Sequence, residues 1–191
     1  MVYRIIRFIV YWFLKIRFRI QVQGIEHIPE GGCILAMNHT SNWDPLLVGV
    51  HTPRKMFIMA KEELFKNRFF AWIITEMGSF PVKRGSADLR SLKHTLQLIQ
   101  KGHIFSIFIE GTRAKDETML EPKKGIGFIV GKSKAPVIPT YIYGLKGGWG
   151  AKAGIIFGEP LRLNSSDYEG VALEVANSIQ QLKKASLEDV S

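Results

Sequence analysis

A single cysteine, Cys33, occurs in 191 residues. No disulfide can close within the chain, and such thiol usage fits a reducing compartment. Cys33 lies in the apolar run Cys33-Ile34-Leu35-Ala36-Met37, which makes it a core residue rather than a nucleophile. Long apolar runs are also missing. The N-terminal stretch Phe8 to Leu14 is seven residues long, far short of the ~20 needed to span a bilayer. No small-x-small cleavage site follows it, which argues against a removed signal peptide. No His, Cys and Asp residues fall at metal-ligand spacing, and neither a repeat nor a low-complexity linker is visible. Acidic side chains are the last shortage: 17 Asp and Glu against 26 Lys and Arg leave a net charge of +9. That excess selects an anionic partner, whether nucleic acid, an anionic membrane or a phosphorylated or acidic substrate.

What is present is an ordinary globular composition, 46% hydrophobic and 23% charged, enough for one domain with a substantial core. Residues 1–17 interleave Arg4, Arg7, Lys15 and Arg17 with Ile5, Phe8, Trp12 and Phe13. They read as an amphipathic helix lying in a membrane interface, the alternative being a helix packed on the core. Residues 18–191 then alternate strands and helices. Phe18 to Gln23, Cys33 to Met37, Met56 to Ala60, a short strand near Phe80, Ile104 to Ile109, Val137 to Ile142 and Gly154 to Phe157 read as strands. Helices are expected from Pro45 to His51 with Asp44 as N-cap, from Ser86 as N-cap to Gly102, from Lys123 to Ser133 and from Tyr168 to Leu187. The apolar segment Lys61 to Met77 reads as a core helix, or else as a wall that accepts an alkyl chain or touches lipid. The architecture is therefore α/β, a sheet with helices on both faces.

In such sheets the site lies beyond the strand ends. His39, Arg84 and Glu110 to Arg113 all fall there. His39 follows a buried strand, and a turn over Ser41-Asn42 can bring Asp44 back to it as the orienting partner of a general base.

Four blocks carry a family resemblance: Asn38-His39-x-x-x-x-Asp44, Gly78-x-Phe80-Pro81-Val82-x-Arg84, Phe108-Ile109-Glu110-Gly111-Thr112-Arg113 and Ala135-Pro136-Val137-Ile138-Pro139. In this order they resemble the glycerolipid acyltransferase family, most closely its 1-acylglycerol-3-phosphate acyltransferases, over about Val22 to Pro160. Ile109 departs from the proline common in the third block. The resemblance implies a mixed α/β sheet and acyl transfer from acyl-CoA or acyl-acyl carrier protein to the sn-2 hydroxyl of lysophosphatidic acid, with no cofactor and no metal. It implies His39 and Asp44 as catalytic residues. Arg84, Glu110, Gly111, Thr112 and Arg113 would bind substrate, supported by Lys123 or Lys124. Glu110 can equally anchor Arg113 or a loop amide, and Gly111 can let amides approach an oxyanion. The expected location is the cytoplasmic side of the cell membrane, held peripherally at an anionic surface.

Rival patterns fail on particulars. Gly131-Lys132-Ser133 resembles the tail of a P-loop, but Ile126 stands where the leading glycine belongs. The same residues fall short of a serine-hydrolase elbow, because no histidine follows His103. A non-enzymatic lipid or nucleic-acid binder is the alternative from another class, yet the cations are spread along the chain with no nucleic-acid module among them.

Overall fold

The computed structural model describes residues 1–83, 88–114, 119–163 and 166–188. Its strands are β1 (Phe18–Gln23), β2 (Cys33–Met37), β3 (Met56–Lys61), β4 (Ser79–Val82), β5 (Ile104–Phe108), β6 (Val137–Tyr143) and β7 (Ala151–Phe157). The helices are α1 (Val2–Arg17), α2 (Asp44–His51), α3 (Arg68–Glu76), α4 (Leu89–Gln100), α5 (Lys124–Ser133) and α6 (Tyr168–Glu188). The strands make one seven-stranded sheet in the order β1-β7-β6-β2-β5-β3-β4. Strands β2 to β6 run parallel, while β7 is antiparallel to β6 and β1 is parallel to β7, so the sheet is mixed.

The period-two alternation of β2 builds both faces of the core. Cys33, Leu35 and Met37 pack with Leu14 of α1 and Leu47, Val48 and Val50 of α2. Ile34 and Ala36 pack on the opposite face with Ile99 of α4, Ile126 and Ile129 of α5 and Val175 and Ile179 of α6. Every residue of β2 is buried, as expected of a strand covered on both faces. Burial pushes the Cys33 thiol up to about 11, against a smaller opposing pull from the Arg54 charge, which suits a core residue and not a nucleophile.

Helix α1 has two apolar sides. Val10, Tyr11 and Leu14 join the core, and Arg7 donates to the carbonyls of Val50 and Thr52, at 2.9 and 2.7 Å, where α2 ends. Those carbonyls lack helical partners, and a cation there also suits the helix dipole. On the outer side Ile5, Phe8, Ile9, Trp12, Phe13 and Ile16 are exposed at three- and four-residue spacing. Among the described residues, no helix is long and apolar enough to cross a membrane.

Three local expectations change. The segment from Lys61 to Met77 is not a core helix. It divides into a 3-10 turn (Glu62–Phe65) and α3, with no buried residue in either. Helix α3 packs on β4, an edge strand, so much of its apolar surface finds no sheet to cover it. Helix α4 is capped by Asp88, which accepts from the Ser91 amide at 3.1 Å; Ser86, expected as the cap, lies outside the described residues. The N-cap of α2 is Trp43, with no side-chain cap. The carboxylate of Asp44 is turned back upstream instead.

Candidate active site

Because β2, β5 and β6 are parallel, their carboxyl ends lie on one edge of the sheet. The loops after them carry Asn38 to Asp44, Ile109 to Ala114 and Gly144 to Lys146. The chain is locked at the end of β2 before it turns. Asn38, itself buried, donates from its amide to the Ile142 carbonyl at 2.9 Å and accepts from the Ile142 amide at 2.8 Å. Its side chain thus continues the pairing with β6 that the β2 backbone has just left. Sequence reasoning quoted Asn38 in a motif without giving it this task.

His39 follows and is held from several directions. Its amide donates to Glu110 Oε1 at 2.9 Å, and its carbonyl accepts from the Ala114 amide at 2.9 Å. Its ring lies on Phe108, with centroids 3.8 Å apart and planes 13° from parallel. Nδ1 lies 2.8 Å from Asp44 Oδ2. That same oxygen accepts from the amides of Thr40 at 2.7 Å and Ser41 at 2.8 Å. Three donors converging on one buried carboxylate oxygen explain why Asp44 serves the loop and not the first turn of its own helix. A carboxylate that only accepts requires an imidazole proton on Nδ1, which in the neutral ring leaves the lone pair on Nε2. Among the described residues nothing hydrogen-bonds Nε2, and the side chain is 12% exposed. Such a dyad can chemically receive a proton at Nε2 and stabilise the imidazolium that results.

Glu110 is 1% exposed, with Oε1 on the His39 amide and Oε2 on the Leu120 amide, each at 2.9 Å. Of the roles open to it, the geometry is that of a loop-amide anchor. Gly111 has φ +68°, and a Cβ there would come within 3.2 Å of the Lys123 side chain; its amide donates to the Phe108 carbonyl at 3.1 Å. That N–H is committed to the turn. Thr112 and Arg113 are exposed and line a cleft with Thr40, Ala114 and Lys146. Lys146, whose Nζ also donates to the Ala114 carbonyl at 3.3 Å, lies outside all four motif blocks. Its place just past the carboxyl end of β6 was the signal that could have found it. The two candidate lysines part company. Lys123 packs at Gly111, whereas Lys124 pairs with Glu169 at 2.8 Å, a hydrogen bond and charge that raise the Lys124 pKa. Arg84 lies outside the described residues. Among the described residues, no three His, Cys, Asp or Glu side chains gather as a metal site.

The acyltransferase family model matches residues 19–143, well over half of the chain. The chain belongs to the acyltransferase family. This acyltransferase is 32% identical over 154 residues to the 1-acyl-sn-glycerol-3-phosphate acyltransferase of Bacillus subtilis (strain 168), with 78% of this chain and 76% of that protein covered. It is 30% identical over 161 residues to the protein of the same name from Streptococcus pneumoniae (strain ATCC BAA-255 / R6), at 78% and 60% coverage. The crystal structure of PlsC from Thermotoga maritima, a 1-acyl-sn-glycerophosphate (LPA) acyltransferase, superposes with a TM-score of 0.76 at 25% identity, covering 94% of this chain and 77% of that one. The expected α/β class with a mixed sheet agrees with the fold of this acyltransferase.

Proposed function

We propose that this acyltransferase moves a fatty acyl group from an acyl thioester, acyl-CoA or acyl-acyl carrier protein, to the sn-2 hydroxyl of 1-acylglycerol 3-phosphate, making phosphatidic acid. The observation that carries this reading is the His39–Asp44 dyad, set at the carboxyl edge of the sheet with Nε2 unpartnered among the described residues, in a chain similar to proteins of that name.

A glycerol hydroxyl is too weakly acidic to attack unaided. In the proposed reaction His39 Nε2 takes the hydroxyl proton as the oxygen bonds to the thioester carbonyl carbon. The carbon–sulfur bond then breaks, and the imidazolium returns the proton to the departing sulfur. Asp44 holds Nδ1–H and stabilises the cationic ring between these steps. The acceptor phosphate docks in the cleft at Arg113, Thr112 and Lys146, with Lys123 beside it at Gly111. Arg84 joins this subsite on the strength of its motif alone. Glu110 and Asn38 position the dyad and do not touch the acceptor. The acceptor is a membrane lipid, and the outer apolar stripe of α1 supports a place at the cytoplasmic face of an anionic membrane, with exposed Phe69, Phe70 and Trp72 of α3 as a second contact.

The test is an assay of purified protein with labelled acyl thioesters against a panel of lysolipids and glycerol 3-phosphate. Lysophosphatidic acid should be the preferred acceptor, and His39→Ala should lower turnover about 10²–10⁴-fold while leaving the fold intact. Near-normal turnover in that variant overturns the mechanism. Preference for an acceptor without phosphate overturns the substrate.

A further inference from the structure

We infer that Trp149, in the β6–β7 loop, is a membrane-interface anchor that places the mouth of the active-site cleft at the lipid headgroups of an anionic bilayer. This rests on the proposed membrane location and adds a contact that none of the motif blocks contains.

The loop Gly144-Leu145-Lys146-Gly147-Gly148-Trp149-Gly150 leaves β6 at the catalytic edge. Trp149 is 71% exposed, although a tryptophan in a glycine-rich loop is free to fold back on the domain. Instead it is held outward. The Arg17 guanidinium donates to the Gly147 carbonyl at 2.9 Å and also to the Gly148 carbonyl. The Gly150 amide donates to the Arg17 carbonyl at 3.0 Å, and the guanidinium lies 5.2 Å from the Trp149 ring centroid. One residue of α1 therefore clasps the loop from both sides while leaving the indole in solvent.

Position and charge identify what the indole meets. Arg17 ends α1, and the outer stripe of that helix finishes one residue earlier at Ile16, 70% exposed. The Trp149 loop is thus tied through Arg17 to the end of the helix that carries the stripe. The Arg17 guanidinium lies against the indole, on a chain of net charge +9. An exposed aromatic with one polar N–H and a guanidinium against its ring, on a cationic chain, matches the headgroup zone of an anionic bilayer. Three residues before Trp149, Lys146 lines the cleft with Thr40 and Arg113. A lysolipid phosphate at headgroup depth would meet the cleft without leaving the membrane.

The experiment uses the full chain carrying Trp12→Phe, Trp43→Phe and Trp72→Phe, which leaves Trp149 as the sole tryptophan, with vesicles of phosphatidylglycerol and phosphatidylcholine. Trp149 emission should shift to the blue on binding and be quenched by lipids brominated near the headgroup. In the otherwise natural chain, Trp149→Ala should weaken vesicle partition about tenfold, the effect of about 60 Å² of aromatic surface returned to water. Turnover of a monomeric short-chain acceptor should be unchanged, and Trp149→Phe should restore most of the partition. Vesicle binding with a water-like, unquenched Trp149, or partition of Trp149→Ala within twofold of the natural chain, overturns the anchor while α1 keeps its membrane role. Absence of vesicle binding by the natural chain overturns both together.

Discussion

Replacing Glu110 with glutamine separates an anchor from a substrate ligand. The two carboxylate oxygens each accept one backbone N–H, from His39 and from Leu120, both at 2.9 Å. A carboxamide keeps one acceptor and turns an NH2 group toward the other amide, so donor faces donor. Losing a hydrogen bond to a charged acceptor costs about 1.5–3 kcal/mol, and stranding a buried amide costs a further ~1–3 kcal/mol. Removal of the buried charge offsets part of this, which leaves an expected loss of about 3 kcal/mol. In a domain of this size that lowers the melting temperature by about 6–12 °C. Thermal and urea unfolding followed by circular dichroism would read the stability, and steady-state kinetics on a short-chain acceptor would read the site. If the stranded amide is that of His39, kcat falls and the acceptor KM stays close to wild type, because the ring and not the phosphate subsite is displaced. Glu110→Asp, one methylene shorter, should reach only one of the two amides and fall between. A Glu110→Gln variant with unchanged melting temperature and a raised acceptor KM would refute this reasoning and return Glu110 to substrate binding.

Asp44→Asn should cut turnover and also destabilise the loop, since three N–H donors converge on Oδ2 of Asp44; full activity at unchanged stability would count against the dyad. Arg113→Ala should raise the acceptor KM more than the donor KM, by about tenfold or more, corresponding to a charge-assisted bond of about 1.5–3 kcal/mol, and equal effects on both substrates would remove Arg113 from the phosphate subsite. Burial holds the His51 imidazole below its ordinary 6.5, against a smaller upward pull from its bond to the Leu47 carbonyl. The unfolded chain therefore binds a proton first as pH falls, so stability declines below about pH 6.5 and is unaffected by this group above it. His51→Gln should flatten that acid limb in urea titrations from pH 7 to 5, and an unchanged limb would show that other groups set it.

Strand positions were legible because apolar runs bounded by Gly, Pro and polar residues leave little choice of element. Strand β7 was the exception. It begins at Ala151 and not Gly154, because Ala-Lys-Ala lacks bulky β-formers and joins the sheet through pairing with Phe18, Arg19 and Ile20. Strand order was invisible for the same reason: it depends on contacts between distant segments. That Asp44 can turn back to His39 was legible from the turn-prone Ser41-Asn42 between them and from the family resemblance, and the two side chains do meet, but the anchoring by Asn38 and Glu110 required seeing which amides the backbone leaves unpaired. Helix α1 showed its outer stripe in the sequence and concealed its inner one, since Leu14 and Trp12 look alike until packing assigns one to the core and the other to the surface.

The reversed polarity of two strands has a spatial consequence for α1. Strand β1 runs parallel to β7, which runs against β6, so β1 starts on the edge where β2 finishes. The helix that leads into β1 must therefore terminate beside the catalytic loops. Had β1 run with the parallel block, Arg17 would sit on the far rim, about 20 Å away for a strand of this length. The closeness of the proposed lipid-facing helix to the reacting groups is thus set by chain direction, before any side chain is chosen.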